Sequence, residues 1–359
     1  MSSIIPLFIK TTDSDRLKNF YDLAYGKNHI LNNMIHHNWQ FKDNPFNKLE
    51  NKSIVITKND SEISSHMGIF PVELKVFNII KNATWHISFY TLEKYRGMGL
   101  GSKLLEYSSN FFDFTMVLSG SEGTKKIYEN QGGKDFGDLN RYVGILNKIR
   151  LEHYIGNKIQ KKQVSLENKS KLKFDLIKCL DNSYEIFWEN VKSRYPITVN
   201  RTRQYLQWRY LNHPLIEYHF MLLKNDDELL GYAVLRFEDN NKELKAVRIV
   251  DMIVLENYDD EIIQQIIHYC INKVDIVDFF CTGNFYKNSF EKNGFFNNLI
   301  EDLKIPAVFN PIDLNRRPDI NFFYKQSNLD SSYNESLNEI NNWYFVKGDS
   351  DQDRSNIVL

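Results

Sequence analysis

The chain has 359 residues, 42% of them hydrophobic, with 45 Lys and Arg against 46 Asp and Glu and a formal net charge of −1. At about 150 residues per domain, this length suggests two domains with enough apolar material for two cores. The balanced charge argues against a nucleic-acid partner, and no run reaches the ~18 apolar residues that would span a bilayer.

Cys179, Cys270 and Cys281 lie in apolar runs without paired or metal-like spacing. They read as reduced thiols in a cytoplasmic protein without a metal centre. The first six residues, Met1 to Pro6, lack the basic-then-apolar pattern of a secretory leader.

In chain order, the pattern predicts helices over residues 14–24, with Asp13 and Ser14 as caps, and 30–41. Strands follow near 53–57, 62–71, 72–80 and 83–91. A glycine-rich stretch, 93–101, separates the last of these from a helix opening at Ser102. A buried strand at 115–119, a helix at 124–130 ending before Gly132, and strands to about 146 complete the first half. Residues 1–150 read as one domain, 151–173 as a polar, basic connection and 174–359 as a second domain. Alternating strands and helices imply an α/β fold with helices on both sheet faces.

The stretch Glu93-Lys94-Tyr95-Arg96-Gly97-Met98-Gly99-Leu100-Gly101 carries the main functional signal. A glycine turn between strand and helix aims backbone N–H groups at the positive end of the helix dipole, which suits a diphosphate. The order Gly101-Ser102-Lys103 does not make a P-loop, and Ser102 stands where a dinucleotide fingerprint needs glycine. What remains is Arg-x-x-Gly-x-Gly at Arg96, Gly99 and Gly101.

This pattern, with Thr91 and Glu93 before it, resembles the coenzyme loop of the GNAT acyltransferase superfamily. The resemblance implies acyl-coenzyme A as donor, held by Thr91, Arg96, Gly97, Met98, Gly99, Leu100, Gly101 and Ser102. It implies two tandem GNAT-like domains, each a mixed, largely antiparallel twisted sheet flanked by helices. It also implies that a backbone N–H near Tyr90 or Thr91 polarises the thioester and that Tyr128 protonates the leaving thiolate. For the base, strand alternation offers His86, and His66 is the equal candidate from the neighbouring strand; water is the alternative.

The halves are related by internal duplication. Trp39-Gln40-Phe41 recurs as Trp208-Arg209-Tyr210, Lys58-Asn59 as Lys224-Asn225, and Tyr128-Glu129-Asn130-Gln131-Gly132 as Phe290-Glu291-Lys292-Asn293-Gly294, in the same order. Where the first half has its glycines, the second carries Glu256, Asp259, Asp260 and Glu261, which would repel a diphosphate. Phe290 replaces Tyr128. The coenzyme site is therefore expected in the first half alone.

The second half is expected to bind the acceptor. Trp208, Arg209, Tyr210 and His213 combine aromatic faces with a guanidinium, and Asp251 and Asp349 could hold a hydroxyl or amine. The box and the tail Trp343-Tyr344-Phe345 to Asp349 resemble bacterial two-domain nucleotide-sugar N-acyltransferases. That resemblance implies acetyl or 3-hydroxyacyl transfer to a dTDP-linked amino-dideoxy sugar for surface polysaccharide, in a cleft between the halves, with no membrane partner and a homodimer as one possible assembly. Transfer to a peptide, polyamine or amino acid, and a non-catalytic coenzyme-binding role, are the alternatives.

Overall fold

The computed structural model describes residues 4–47, 53–59, 61–164, 166, 172–239, 244–301, 303–307, 319–327 and 333–355. The chain packs as two units. Residues 1–137, 320–338 and 350–359 form unit 1, and residues 138–319 and 339–349 form unit 2.

Unit 1 begins with β1 (Leu7–Phe8), α1 (Ser14–Tyr25) and α2 (Met34–Phe41). Helix α1 buries Leu17, Phe20 and Tyr21, an apolar stripe at helical spacing. Helix α2 starts where Asn33 Oδ1 accepts from the N–H groups of Ile35 and His36. Three strands follow, β2 (Ile54–Lys58), β3 (Ile63–Val76) and β4 (Ile79–Thr91). The sequence pattern suggested four, with a break at Pro71, yet β3 runs through that residue and pairs it with Thr84. The β2 ladder ends at Gly68, so the proline removes no bond to that neighbour.

The order continues with α3 (Leu100–Ser109), β5 (Phe114–Leu118), α4 (Glu122–Glu129) and β6 (Lys134–Asp138). Leu104 of α3 packs with Val55, Met67, Ile69 and Phe112, while Leu105 meets Val117, Tyr128 and Phe323. Sheet and helix are thereby closed over one apolar layer.

In unit 2 the chain forms β7 (Asn140–Ile145), α5 (Lys148–Ile155), β8 (Lys173–Ile177), α6 (Ser183–Val191), β9 (Ile197–Val199) and α7 (Arg203–Leu206). Strands β10 (His219–Asn225), β11 (Glu228–Asp239) and β12 (Lys245–Val254) precede α8 (Asp259–Cys270), β13 (Ile276–Cys281), α9 (Lys287–Lys292), β14 (Phe296–Asn297) and α10 (Asn298–Glu301). The chain then returns to unit 1 for β15 (Asn321–Gln326) and α11 (Asn334–Leu337), and gives β16 (Trp343–Tyr344) to unit 2.

The two sheets share one plan. Unit 1 has the order β1-β2-β3-β4-β5-β15-β6, and unit 2 the order β8-β10-β11-β12-β13-β7-β14. In each, antiparallel hairpins lead to one parallel pair, β4 with β5 and β12 with β13, bridged by α3 or α8. The duplication read from sequence is thus a duplication of topology.

The sixth strand of each sheet, β15 or β7, comes from a distant part of the chain. The expected single boundary near residue 150 is replaced by this exchange. Of the expected connection, α5 buries Leu151 with Val143 and Ile145 in the unit 2 core, whereas residues 165 and 167–171 lie outside the described residues.

Candidate functional site

In unit 1, β4 and β5 pair only between residues 83–85 and 114–116, although both strands continue beyond. Against β3 the register slips, His66 opposing Tyr90 and Gly68 opposing Ile87, so β4 holds one extra residue. Ser88 lies in this bulge with φ +48°. A bulge bends its strand, and here the bend follows the point where β4 and β5 stop pairing. A cleft of about 770 Å³ lies where they part, walled by Phe89, Tyr90 and Thr91 on one side and by the starts of α3 and α4 on the other.

The loop between β4 and α3 is latched by Tyr95, which also lines the cleft. The Tyr95 hydroxyl donates to Glu62 Oε1 at 2.7 Å and accepts from Asn59 Nδ2 at 2.7 Å, and Lys94 pairs with the same glutamate. Gly97 and Gly99 then take φ of +79° and +69°, and a Cβ at either would meet nothing within 4 Å. Their requirement is conformational. Gly99 caps α3 without any side-chain bond, so no capping side chain satisfies the first-turn N–H groups at this edge of the cleft.

Gly101 has a different reason: a Cβ there would stand 2.7 Å from Ile127 Cδ1 and 3.3 Å from Phe89 Cζ. Only glycine keeps that wall of the cleft clear. The Arg96 guanidinium lies 5.3 Å from the centre of the Tyr90 ring, and Nη2 donates to the Tyr90 hydroxyl at 3.1 Å. With its side chain 54% exposed, Arg96 can reach an anion in the cleft.

Of the eight residues expected to hold the coenzyme, Thr91, Arg96, Gly97, Gly99, Leu100, Gly101 and Ser102 line this cleft. Met98 points out and is 46% exposed. The cleft also uses Ser121 and Thr124 from the start of α4, where Ser121 Oγ accepts from the Thr124 N–H. The sequence reading did not single these out.

The expected catalytic side chains lie elsewhere. Tyr128 is fully buried, its hydroxyl 2.6 Å from His86 Nδ1, and His86 Nε2 is 2.8 Å from Ser108 Oγ. The phase of α4 turns Ile127, not Tyr128, toward the cleft. Burial pushes the His86 pKa down to about 3 and the Tyr128 pKa up. The supposed acid and base are thus hydrogen-bonded to each other in the core.

His66 is also buried, with Nε2 3.1 Å from the Tyr21 hydroxyl and Nδ1 2.9 Å from the Ser88 carbonyl oxygen. Burial brings its pKa to about 4. Neither histidine changes protonation near neutral pH.

The expected acceptor residues form part of the unit 2 interior. Trp208, Arg209 and Tyr210 lie in a π-helical turn, and Arg209 Nε donates to the Gly348 carbonyl at 2.8 Å. His213 Nδ1 accepts from the N–H groups of Leu215 and Ile216. Asp251 and Asp349 share Arg201, whose Nε and Nη2 reach them at 3.0–3.1 Å. Burial beside Asp251 lifts the Asp349 pKa to about 6 despite this pairing.

These charges are satisfied internally, as buried charges must be. The box is therefore architectural, with Arg201 as its hub. Its charge partners lie 50 and 148 residues away, so no local spacing signals them. Among the described residues, no group of His, Cys, Asp and Glu could hold a metal ion, and no helix is long and apolar enough to cross a membrane.

No family model matches the chain, and no curated protein does. Solved structures do. A GCN5-related N-acetyltransferase from Anabaena variabilis superposes with a TM-score of 0.56 at 12% identity, over 91% of this chain and 73% of that one. A probable N-acyltransferase from Enterococcus faecalis gives 0.59 at 10%, over 91% and 73%. N-myristoyltransferase of Saccharomyces cerevisiae, with bound myristoyl-CoA, gives 0.53 at 11%, over 90% and 83%. The fold is that of the GCN5-related N-acetyltransferases, arranged in two units.

Proposed function

We propose that unit 1 holds an acyl-coenzyme A in the cleft beside β4 and that the protein transfers the acyl group to an amine. The observation that supports this most is the conjunction of the parted strands with a glycine loop that leaves the α3 N-terminus uncapped. The first-turn amides and Arg96 would take the diphosphate. The pantetheine arm would run along the unpaired length of β4, replacing the missing strand neighbour.

That places the thioester near the bulge at Ser88 and Phe89. A main-chain N–H there would stabilise the oxyanion, one or two residues before the position expected from sequence. The amine proton would leave through water in the open cleft, because both candidate histidines are interior and neutral.

For the acceptor, the dTDP-linked amino sugar rested on Trp208, Arg209, Tyr210, His213, Asp251 and Asp349, all of which are buried inside unit 2. The proposal is therefore made for a primary amine, with amino sugars as one arm of the test. Coenzyme binding by calorimetry and thiol release from acetyl- and longer acyl-CoAs would be measured against dTDP-amino sugars, peptide N-termini and polyamines. Absence of coenzyme affinity overturns the proposal. Binding without thiol release to any amine would favour a non-catalytic coenzyme-binding role, the reading that the interior placement of Tyr128 supports.

A further inference from the structure

The carbonyl of Ser88 accepts two side-chain hydrogen bonds, from the Tyr25 hydroxyl of α1 at 2.7 Å and from His66 Nδ1 of β3 at 2.9 Å. A carbonyl can only accept, so the His66 proton is on Nδ1, and Nε2 in turn accepts from the Tyr21 hydroxyl at 3.1 Å. Two side chains, one from α1 and one from β3, thus converge on one peptide group, with Tyr21 of α1 holding His66 from behind. That peptide follows a serine at φ +48°, a left-handed conformation that a residue with a Cβ adopts only when its surroundings enforce it.

A trans peptide points its C=O and its N–H in opposite directions. Fixing the Ser88 oxygen toward Tyr25 and His66 therefore fixes the Phe89 N–H away from them, and Phe89 itself lines the cleft. Both side chains have the right chemistry for a permanent clamp. His66 is buried and neutral, with its single proton committed to the carbonyl. Tyr25 is stacked against His29 and edge-on to Tyr90, which leaves its hydroxyl little freedom.

We infer that Tyr25 and His66 are positioning residues, which grip the Ser88 carbonyl so that the Phe89 N–H is aimed at the acyl carbonyl of the bound thioester. This inference rests on the proposed acyl-coenzyme A site. It gives His66 a role without proton transfer, and it gives the strained bulge a purpose. The clamp is preorganised, so the donor costs no rearrangement when charge develops on oxygen.

The test uses the full chain with acetyl-CoA carrying ¹³C in the acyl carbonyl. Hydrogen bonding to the oxygen moves that resonance downfield from its position in free acetyl-CoA. Tyr25→Phe and His66→Phe should return it most of the way, with coenzyme affinity within about threefold of wild type and thiol release lowered about tenfold or more. His66→Gln, which retains an N–H donor, should recover a large part of the shift.

Should either phenylalanine variant fail to fold, phenyllactate incorporated in place of Phe89 turns the 88–89 amide into an ester, which removes the N–H and weakens the Ser88 carbonyl as an acceptor, and must abolish the shift. An unchanged bound resonance in the variants that fold, or with phenyllactate at 89, overturns the clamp. Failure of wild-type protein to bind acetyl-CoA instead removes the site on which the inference stands.

Discussion

Arg194 and Asp259 form a two-pronged ion pair, Nη1 to Oδ1 at 2.7 Å and Nη2 to Oδ2 at 2.6 Å, at the first residue of α8. In the plan shared by the two sheets, α8 is the counterpart of α3. Where unit 1 leaves its helix start open between glycines, unit 2 places a carboxylate with its own counter-cation there. Arg194 Nη1 also donates to the carbonyls of Val254 and Leu255, closing the turn that leads into the helix. The unit 2 helix start thus carries an ion pair at the edge of a smaller cleft of about 410 Å³ in place of glycines and open amides, which on the proposed reading disfavours a diphosphate there. The expected binding stoichiometry is one coenzyme A per chain by calorimetry. Asp259→Ala should leave that number unchanged while lowering stability by about 1–3 kcal/mol in denaturant unfolding, because Arg194 loses its partner in a half-buried setting.

Gly101 offers a steric prediction. Gly101→Val would drive its side chain toward Ile127 and Phe89, which already stand at 2.7 and 3.3 Å from a Cβ. Coenzyme affinity should fall tenfold or more, about 1.4 kcal/mol at the least, and the melting temperature should fall as well, because the buried position has no room for a side chain. Gly97→Ala meets no atom and suffers only its positive φ, at about 1 kcal/mol. If both variants weakened binding equally, the wall assigned to Gly101 would be wrong.

Arg96 tests electrostatics at the same place. Its side chain is 54% exposed, so its attraction for a diphosphate is screened by salt. Arg96→Ala should weaken coenzyme binding about tenfold at low ionic strength and distinctly less near 1 M salt. Titrations at two salt concentrations measure this, and a loss independent of salt would argue against a direct phosphate contact.

The buried imidazoles predict a pH dependence of stability. Burial lowers the pKa of His86 to about 3 and those of His66, His37 and His29 to about 4, from 6.5. Below about 6.5 the unfolded chain takes up protons that the folded chain refuses, so stability falls with falling pH. It should be level above pH 7 and decline between about 6.5 and 4, as read by thermal melts across that range. Replacement of His86 by Asn should make the decline shallower. A flat melting temperature down to pH 4 would contradict the interior placement of the His66 and His86 rings. The same pKa values imply that neither His66 nor His86 gives a step in a rate profile above pH 7.

Much of unit 1 was legible locally. The helix at 14–25, the strand before Arg96, the glycine turn and the helix after it all follow from spacing within a dozen residues. Pro71 misled because a proline reads as a strand break, whereas the β2 ladder had already ended at Gly68. Tyr128 misled for another reason. A tyrosine and an isoleucine adjacent on a short helix differ by one step of helical phase, and which of them faces the cleft depends on how α4 packs on Leu105, Val117 and Phe323.

The sequence by itself determined the strand–glycine–helix turn at 96–102, the duplication, and the absence of those glycines from the second half, because each is a matter of residue type at short spacing. Only the tertiary structure decided that β15 and β7 change places, that His66 holds a carbonyl rather than taking a proton, and that Arg209, Asp251 and Asp349 are interior. Those outcomes depend on partners drawn from far along the chain, and on whether a polar group is left in water or must find its hydrogen bonds inside the protein.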